Sequence, residues 1–323
     1  MSMRLLRWVW ALAGAMACLG SLNALADDFP SKPIRIIVTF PAGGQADVLA
    51  RVLGKYIAQN TGQPVIVENR AGAGGMIGAE ILANSPPDGY TMGILSTPHV
   101  TYPAVMKPAF DPTALRAITN IAIVPSVLSV NAASSYRTLG DILAQAKAKP
   151  GVLTSGNAGN LSTSHLAMEL LKQRTGVDIL VIPYKGGAPS LQDLLGGQID
   201  MAMGGPAAVI GHIKNGKLRA IAVSSAKRAT AMPDVPTFAE SGVPGFELNE
   251  WYALFAPAKT PPAVIARLHD EVVKALKEPE VRNTLVSMGA EPVANTPAEL
   301  QAFYADEMDR LGKLVKQLGL KAE

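Results

Sequence analysis

Four segments concentrate the residue types that could do chemistry, and in each a glycine cluster leads into a stretch of helical periodicity. The first is Phe40-Pro41-Ala42-Gly43-Gly44-Gln45-Ala46-Asp47. Its glycines let backbone approach a ligand, and the opening N–H groups of the next helix carry roughly half a positive charge, which suits a carboxylate or phosphate. An ordinary tight turn is the alternative. In the second, Gly72, Gly74 and Gly78 form a loose dinucleotide pattern, but Glu68-Asn69-Arg70 separates them from the preceding strand, so a structural loop is expected. The third, Thr154 to His165, packs Ser155, Asn157, Asn160, Ser162, Thr163 and Ser164 around Gly156 and Gly159. That is more neutral hydrogen-bonding capacity than one helix cap needs, and it could hold an anion without a fixed cation. His165 could face that ligand or cap the helix. The fourth, Ile182-Pro183-Tyr184-Lys185-Gly186-Gly187, offers a hydroxyl and a charge to the far end of an acidic ligand.

Catalytic arrangements are missing by comparison. There is no G-x-S-x-G elbow and no H-E-x-x-H, and the four histidines, at 99, 165, 212 and 269, lack ligand spacing. Ser224-Ser225-Ala226-Lys227 matches S-x-x-K without its S-D-N and K-T-G partners. No metal and no cofactor are expected, and binding is favoured over catalysis.

The elements that must position these loops alternate in type. Ile34 to Val38 reads as a buried strand, Val48 to Ile57 as an amphipathic helix and Val65 to Val67 as the next strand, a βαβ unit. Further strands are expected at 91–95, 118–124, 127–130, 179–182, 199–203, 218–223 and 252–255, with helices at 263–276 and 297–318. This alternation predicts an α/β fold with largely parallel sheets covered on both faces.

The chain has 323 residues, 48% apolar and 17% charged, with one Cys and a net charge of +3, a globular composition. The first 26 residues stand apart. Arg4 and Arg7 precede an apolar run from Val9 to Leu22, and Ala24-Leu25-Ala26 forms a small-residue cleavage signature, so an export signal cleaved after Ala26 is expected. Its removal takes two Arg and the sole thiol, Cys18, and leaves 297 residues, a two-domain length, at +1. Disulfides and thiol chemistry are thereby excluded from the mature chain. No basic patch with interleaved aromatics remains for nucleic acid.

Taken together, Lys32 to Val38, Phe40 to Gly44 with Asp47, Val65 to Gly75, Pro87-Asp88-Gly89-Tyr90, the Ser155 to His165 loop, Val181 to Gly186 and Pro233-Asp234-Val235-Pro236-Thr237 resemble the Bug (TctC-like) family. Its members are the extracytoplasmic solute receptors of tripartite tricarboxylate transporters. The resemblance runs in order from about residue 29 to the C-terminus.

It implies a periplasmic, monomeric, two-lobed binding protein of type II-like fold with crossing hinge strands. Residues 27–121 with 248–323 would form one lobe and 122–247 the other. The ligand would be a small organic acid, whether dicarboxylate, tricarboxylate, amino acid or aromatic acid, and the partners membrane permease subunits. By the resemblance, Pro41, Ala42, Gly43 and Gly44 meet a ligand carboxylate, and Ser155, Asn157, Ala158, Gly159, Ser162 and Thr163 hold it from the other lobe. Ser96 and Thr97 occupy the loop that sees the rest of the ligand. From the residues themselves, Phe40 and Asp47 are expected beside the first loop, and His165, Tyr184, Lys185 and Gly186 beside the second. Ser96-Thr97-Pro98-His99 and Gly204-Gly205-Pro206 depart from the family's usual residues, which leaves specificity open. Two other classes fit the same residues, an exported hydrolase or isomerase and a sensor subunit for a membrane kinase.

Overall fold

The computed structural model describes residues 29–107 and 110–320; the expected export signal, with Cys18 and the cleavage site, lies outside them. The chain opens with β1 (Ile34–Val38), α1 (Gln45–Thr61) and β2 (Val65–Asn69), the βαβ unit read from the sequence. There follow α2 (Met76–Ala83), β3 (Thr91–Ser96), the short α3 (Pro98–Thr101) and β4 (Leu115–Pro125). Ser126 alone separates β4 from β5 (Val127–Asn131). The middle of the chain forms α4 (Leu139–Ala148), β6 (Thr154–Asn157), α5 (Thr163–Thr175), β7 (Leu180–Pro183), α6 (Gly187–Leu195), β8 (Met201–Gly204), α7 (Pro206–Lys214) and β9 (Leu218–Val223). A long connection then returns to β10 (Asn249–Pro257), α8 (Pro262–Lys277), α9 (Pro279–Ser287), β11 (Glu291–Pro292) and α10 (Pro297–Gln317).

Two sheets result, in the orders β11-β4-β10-β3-β1-β2 and β7-β6-β8-β5-β9. Side-chain alternation in β1 explains the layering of the first. Ile34, Ile36 and Val38 pack with Leu49, Leu53 and Ile57 of α1 and with Leu268 and Val272 of α8. Ile37 turns the other way, into a cluster with Leu82, Trp251 and Tyr304. Each fully buried aliphatic side chain contributes about 1.5–3 kcal/mol, so helices are held on both faces.

The sheets are mixed rather than largely parallel. β1 pairs parallel with β2 and β3, and β6 with β7 and β8. The crossing strands enter the other way: β10 is antiparallel to β3 and β4, and β5 to β8 and β9. A strand arriving from the opposite lobe has no crossover helix to reset its direction, so it runs against its neighbours. A second difference is β6, whose Thr-Ser-Gly-Asn has no apolar signal and reads as loop. It is a buried strand because small residues are what fit there: a Cβ on Gly156 would lie 2.4 Å from the Ser190 hydroxyl and 2.7 Å from Ile199.

The crossing point is knit by hydroxyls. Ser126 N–H donates to Ser224 Oγ at 2.8 Å, and that hydroxyl donates to Asn249 Oδ1 at 3.0 Å. Ser224, the serine of the S-x-x-K match, is wholly buried and spends its hydroxyl on this junction.

Candidate ligand cleft

Beyond the carboxyl ends of β1, β3, β6 and β8, where open α/β sheets collect ligands, the two lobes enclose a cleft. Its outer part, about 540 Å³, is lined by Phe40, Pro41, Gly44, Ser96 and Pro98. Its inner part, about 230 Å³, reaches into the second lobe against Val124, Leu191, Ala202, Met203 and Val209. Gln45, Ala158, Thr163, Glu250 and Tyr252 border both parts, so the space is continuous.

Four helices open on it. α1, α6 and α7 begin after Gly44, Gly186 and Gly205, and none of these has a side-chain cap. By contrast α4 and α10 begin with full capping boxes, Thr138 with Asp141 and Thr296 with Glu299. The first N–H groups of a helix have no intrahelical acceptor; Gln45, Ala46 and Asp47 in α1 and Gly187 and Ala188 in α6 keep such groups at the cleft, whereas α7 opens on Pro206, which has none, and its Ala208 N–H donates to Gly205 O at 3.1 Å. One side chain adds to them: Ser190, in the first turn of α6, lines the inner cleft, is 2% exposed, and its hydroxyl has no partner. A buried donor of this kind costs about 1–3 kcal/mol until something accepts from it.

The fourth helix, α5, is capped by its own loop. Ser162 Oγ accepts from His165 N–H at 3.2 Å and donates to Gly159 O at 2.7 Å, Ser164 Oγ accepts from Ala158 N–H at 3.0 Å, and Asn157 Oδ1 accepts from Gly159 N–H at 2.7 Å. The Ser/Asn surplus read in the sequence is therefore spent largely on shaping the loop. Thr163 faces the cleft, where its hydroxyl donates to Glu250.

Glu250 is the one charged residue among the described residues lining either part of the cleft. Its Oε1 accepts from Thr97 N–H at 3.2 Å. Burial pushes its carboxyl above the usual carboxylate range, against the pull of Thr163, Ser96 and Thr97. Next to it, Tyr252 donates its hydroxyl to Gln45 Oε1 at 3.0 Å, which leaves the Gln45 amide N–H2 as a donor.

Of the residues expected at the site, Phe40, Pro41, Gly44, Ser96, Ala158, Ser162 and Thr163 line the cleft. Asp47 works behind it: 4% exposed, its carboxylate accepts from Gly43 N–H at 2.9 Å, from Asn69 and from Arg51, and Arg51 foremost holds it below the usual carboxylate range. Thr97 meets Glu250 through its backbone. His165 turns to the other side of α5, where Nδ1 accepts from Leu161 N–H at 3.2 Å and burial lowers its pKa. Tyr184 donates to Asp193 at 2.6 Å, its pKa pushed to about 12 by burial and that carboxylate. Ala42, Gly43, Ser155, Asn157, Gly159, Lys185 and Gly186 flank the lining without forming it. Gln45 and Gly187, which lie in the first and fourth segments but outside the residues expected at the site, also line the cleft, and Ser190, Glu250 and Tyr252 escape sequence reasoning. An acid heading the apolar run Trp251 to Phe255 is the one signal that could have flagged Glu250.

Two α/β lobes joined by crossing strands, with uncapped helix starts converging on the space between them, define a two-lobed solute-binding protein. Residues 49–320 match the tripartite tricarboxylate transporter family receptor model, and the chain belongs to that family: it is a solute-binding receptor. It is similar to protein BugT of Bordetella pertussis, 39% identical over 307 residues that cover 92% of each chain. Among solved structures it resembles Rpa4515 of R. palustris with adipate (33% identity, TM-score 0.79, 91% of this chain and 99% of that one). It also resembles MatC of Rhodopseudomonas palustris with bound malate (30% identity, TM-score 0.74, 89% and 100%).

Proposed function

We propose that this receptor captures a small organic carboxylate between its lobes in the periplasm, after cleavage following Ala26, and presents the closed form to membrane permease subunits. The observation that carries this is a conjunction of the uncapped starts of α1 and α6 with the unpartnered Ser190 hydroxyl, in a cleft that no Lys, Arg or His lines among the described residues. Such groups offer N–H and O–H donors to an anion, and among the described lining residues no His or Lys stands by to activate the Ser190 hydroxyl, which supports binding rather than turnover. The adipate and malate bound by Rpa4515 and MatC are carboxylates of suitable size. The carboxylate sits at the start of α1, by Gly44 and Gln45, and closure brings α5 and α6 against it. The hinge is Ser126 with the Ser224–Asn249 segment, because β4 pairs with β10 through Pro125. On this reading the lobe boundary lies a few residues beyond 121.

Gly44→Val tests the site. Gly44 has φ −76°, so its backbone accepts a side chain, and an added Cβ meets no more than Pro41 O at 3.4 Å. The variant is expected to melt like the wild type yet bind small carboxylates at least about tenfold more weakly by calorimetry, about 1.4 kcal/mol. Unchanged affinity would show that the ligand does not use this loop.

A further inference from the structure

We infer that Glu250 restricts this receptor to ligands that carry a cationic amine as well as a carboxylate, zwitterionic amino acids rather than dicarboxylates. The inference rests on carboxylate capture in this cleft and adds what the rest of the ligand must be.

Glu250 is the second residue of β10, at the crossing point, and borders both parts of the cleft. It is fixed from two sides: Oε1 by the backbone N–H of Thr97 in the first lobe and Oε2 by the hydroxyl of Thr163 at the start of α5 in the second. Both donors are neutral. Among the described residues Glu250 makes no ion pair, and no Lys, Arg or His lines the cleft. A carboxylate offers about four lone-pair sites; the hydrogen bonds from Thr97 N–H and Thr163 use two of them, the hydroxyls of Ser96 and Thr97 also pull on the group, and Glu250 lines both parts of the cleft with capacity for a further donor.

A carboxylate taken out of water without an opposite charge is costly, and a ligand ammonium supplies that charge at the place where the protein omits it. A second ligand carboxylate would instead put like charges together at low dielectric. The two demands on the ligand are spatially separate: donors at Gly44–Ala46 and at Ser190 for its carboxylate, an acceptor at Glu250 for its amine. Val124, Leu191, Met203 and Val209 around the inner cleft accept an apolar body between them.

Two matched pairs of probes decide the matter by calorimetry near neutral pH. Aspartate and malate differ by an ammonium against a hydroxyl, and ε-aminocaproate and adipate by an ammonium against a carboxylate. In at least one pair the amino member is expected to bind the wild type tighter by on the order of tenfold. Glu250→Gln is expected to bring that pair within about threefold, and Glu250→Asp, which keeps the charge, to retain the preference. A wild type that binds malate and adipate as well as or better than their amino partners overturns the inference while carboxylate capture stands. That would be the behaviour of a protonated Glu250 donating to a second carboxylate. A Glu250→Gln variant that weakens all probes alike makes Glu250 a tie between the lobes and also overturns it. No binding of any probe by either protein overturns carboxylate capture together with this inference. Should Glu250→Gln fail to fold, the wild-type preference alone decides between the amino and dicarboxylate ligands.

Discussion

His99 illustrates how much of the site is support. It is 1% exposed; Nδ1 accepts from Ser96 N–H at 3.0 Å and Nε2–H donates to Gly75 O at 3.3 Å, so the neutral ring ties the loop after β3 to the turn before α2. Burial pushes its pKa down to about 4, whereas in the unfolded chain it is about 6.5. Below that value the unfolded chain takes up a proton that the folded imidazole refuses. The contribution is complete above about pH 6.5 and is lost as pH falls towards about 4, amounting to about 3 kcal/mol. Melting temperatures measured across this range should decline with acid, and His99→Gln should flatten the slope. His165, also lowered by burial, acts in the same sense, so some slope remains. An undiminished slope in the variant would remove His99 as its cause.

At the scale of elements, the site depends on short pieces whose sequence is dictated by closeness. β6 brings the α5 loop to the cleft and can do so because Gly156 lets Ser190 and Tyr184 come against its backbone. Gly156→Ala should therefore displace α6, the helix that carries Ser190. Overpacking of this kind costs about 1–3 kcal/mol, readable as a lower urea midpoint at unchanged slope, and should weaken ligand binding as well. Wild-type stability in this variant would mean that β6 and α6 have more room than the geometry allows. The contrast between the capping boxes of α4 and α10 and the bare glycine starts of α1, α6 and α7 has the same logic. Of the helices that open on the cleft only α5 spends its N–H groups on its own side chains, through Ser162; α1 and α6 leave theirs for a ligand.

For the molecule as a whole, two lobes meet at a narrow crossing held by Ser126, Ser224 and Asn249, and ligand can shift the open and closed populations only by binding one more tightly. Hinge closure is a known device of periplasmic receptors. Saturating carboxylate should reduce the radius of gyration in solution scattering and raise the melting temperature by mass action. A raised melting temperature with an unchanged scattering curve would mean binding without closure.

Local pattern carried a large share of this protein. The apolar runs of β1, β3 and β9, the helical period of α1 and α10 and the glycine loops at Gly43 and Gly186 are set by neighbours within a few residues, and they were legible in the chain. What pattern could not carry was anything decided by residues far apart: β6 as a strand, the antiparallel entry of the crossing strands, and the turning of Asp47, His165 and Tyr184 away from the ligand space. Glu250 is the sharpest case. Its carboxylate meets Thr97 and Thr163, 153 and 87 residues away in the chain, so its place at the centre of a carboxylate cleft exists only once β10 has crossed between the lobes.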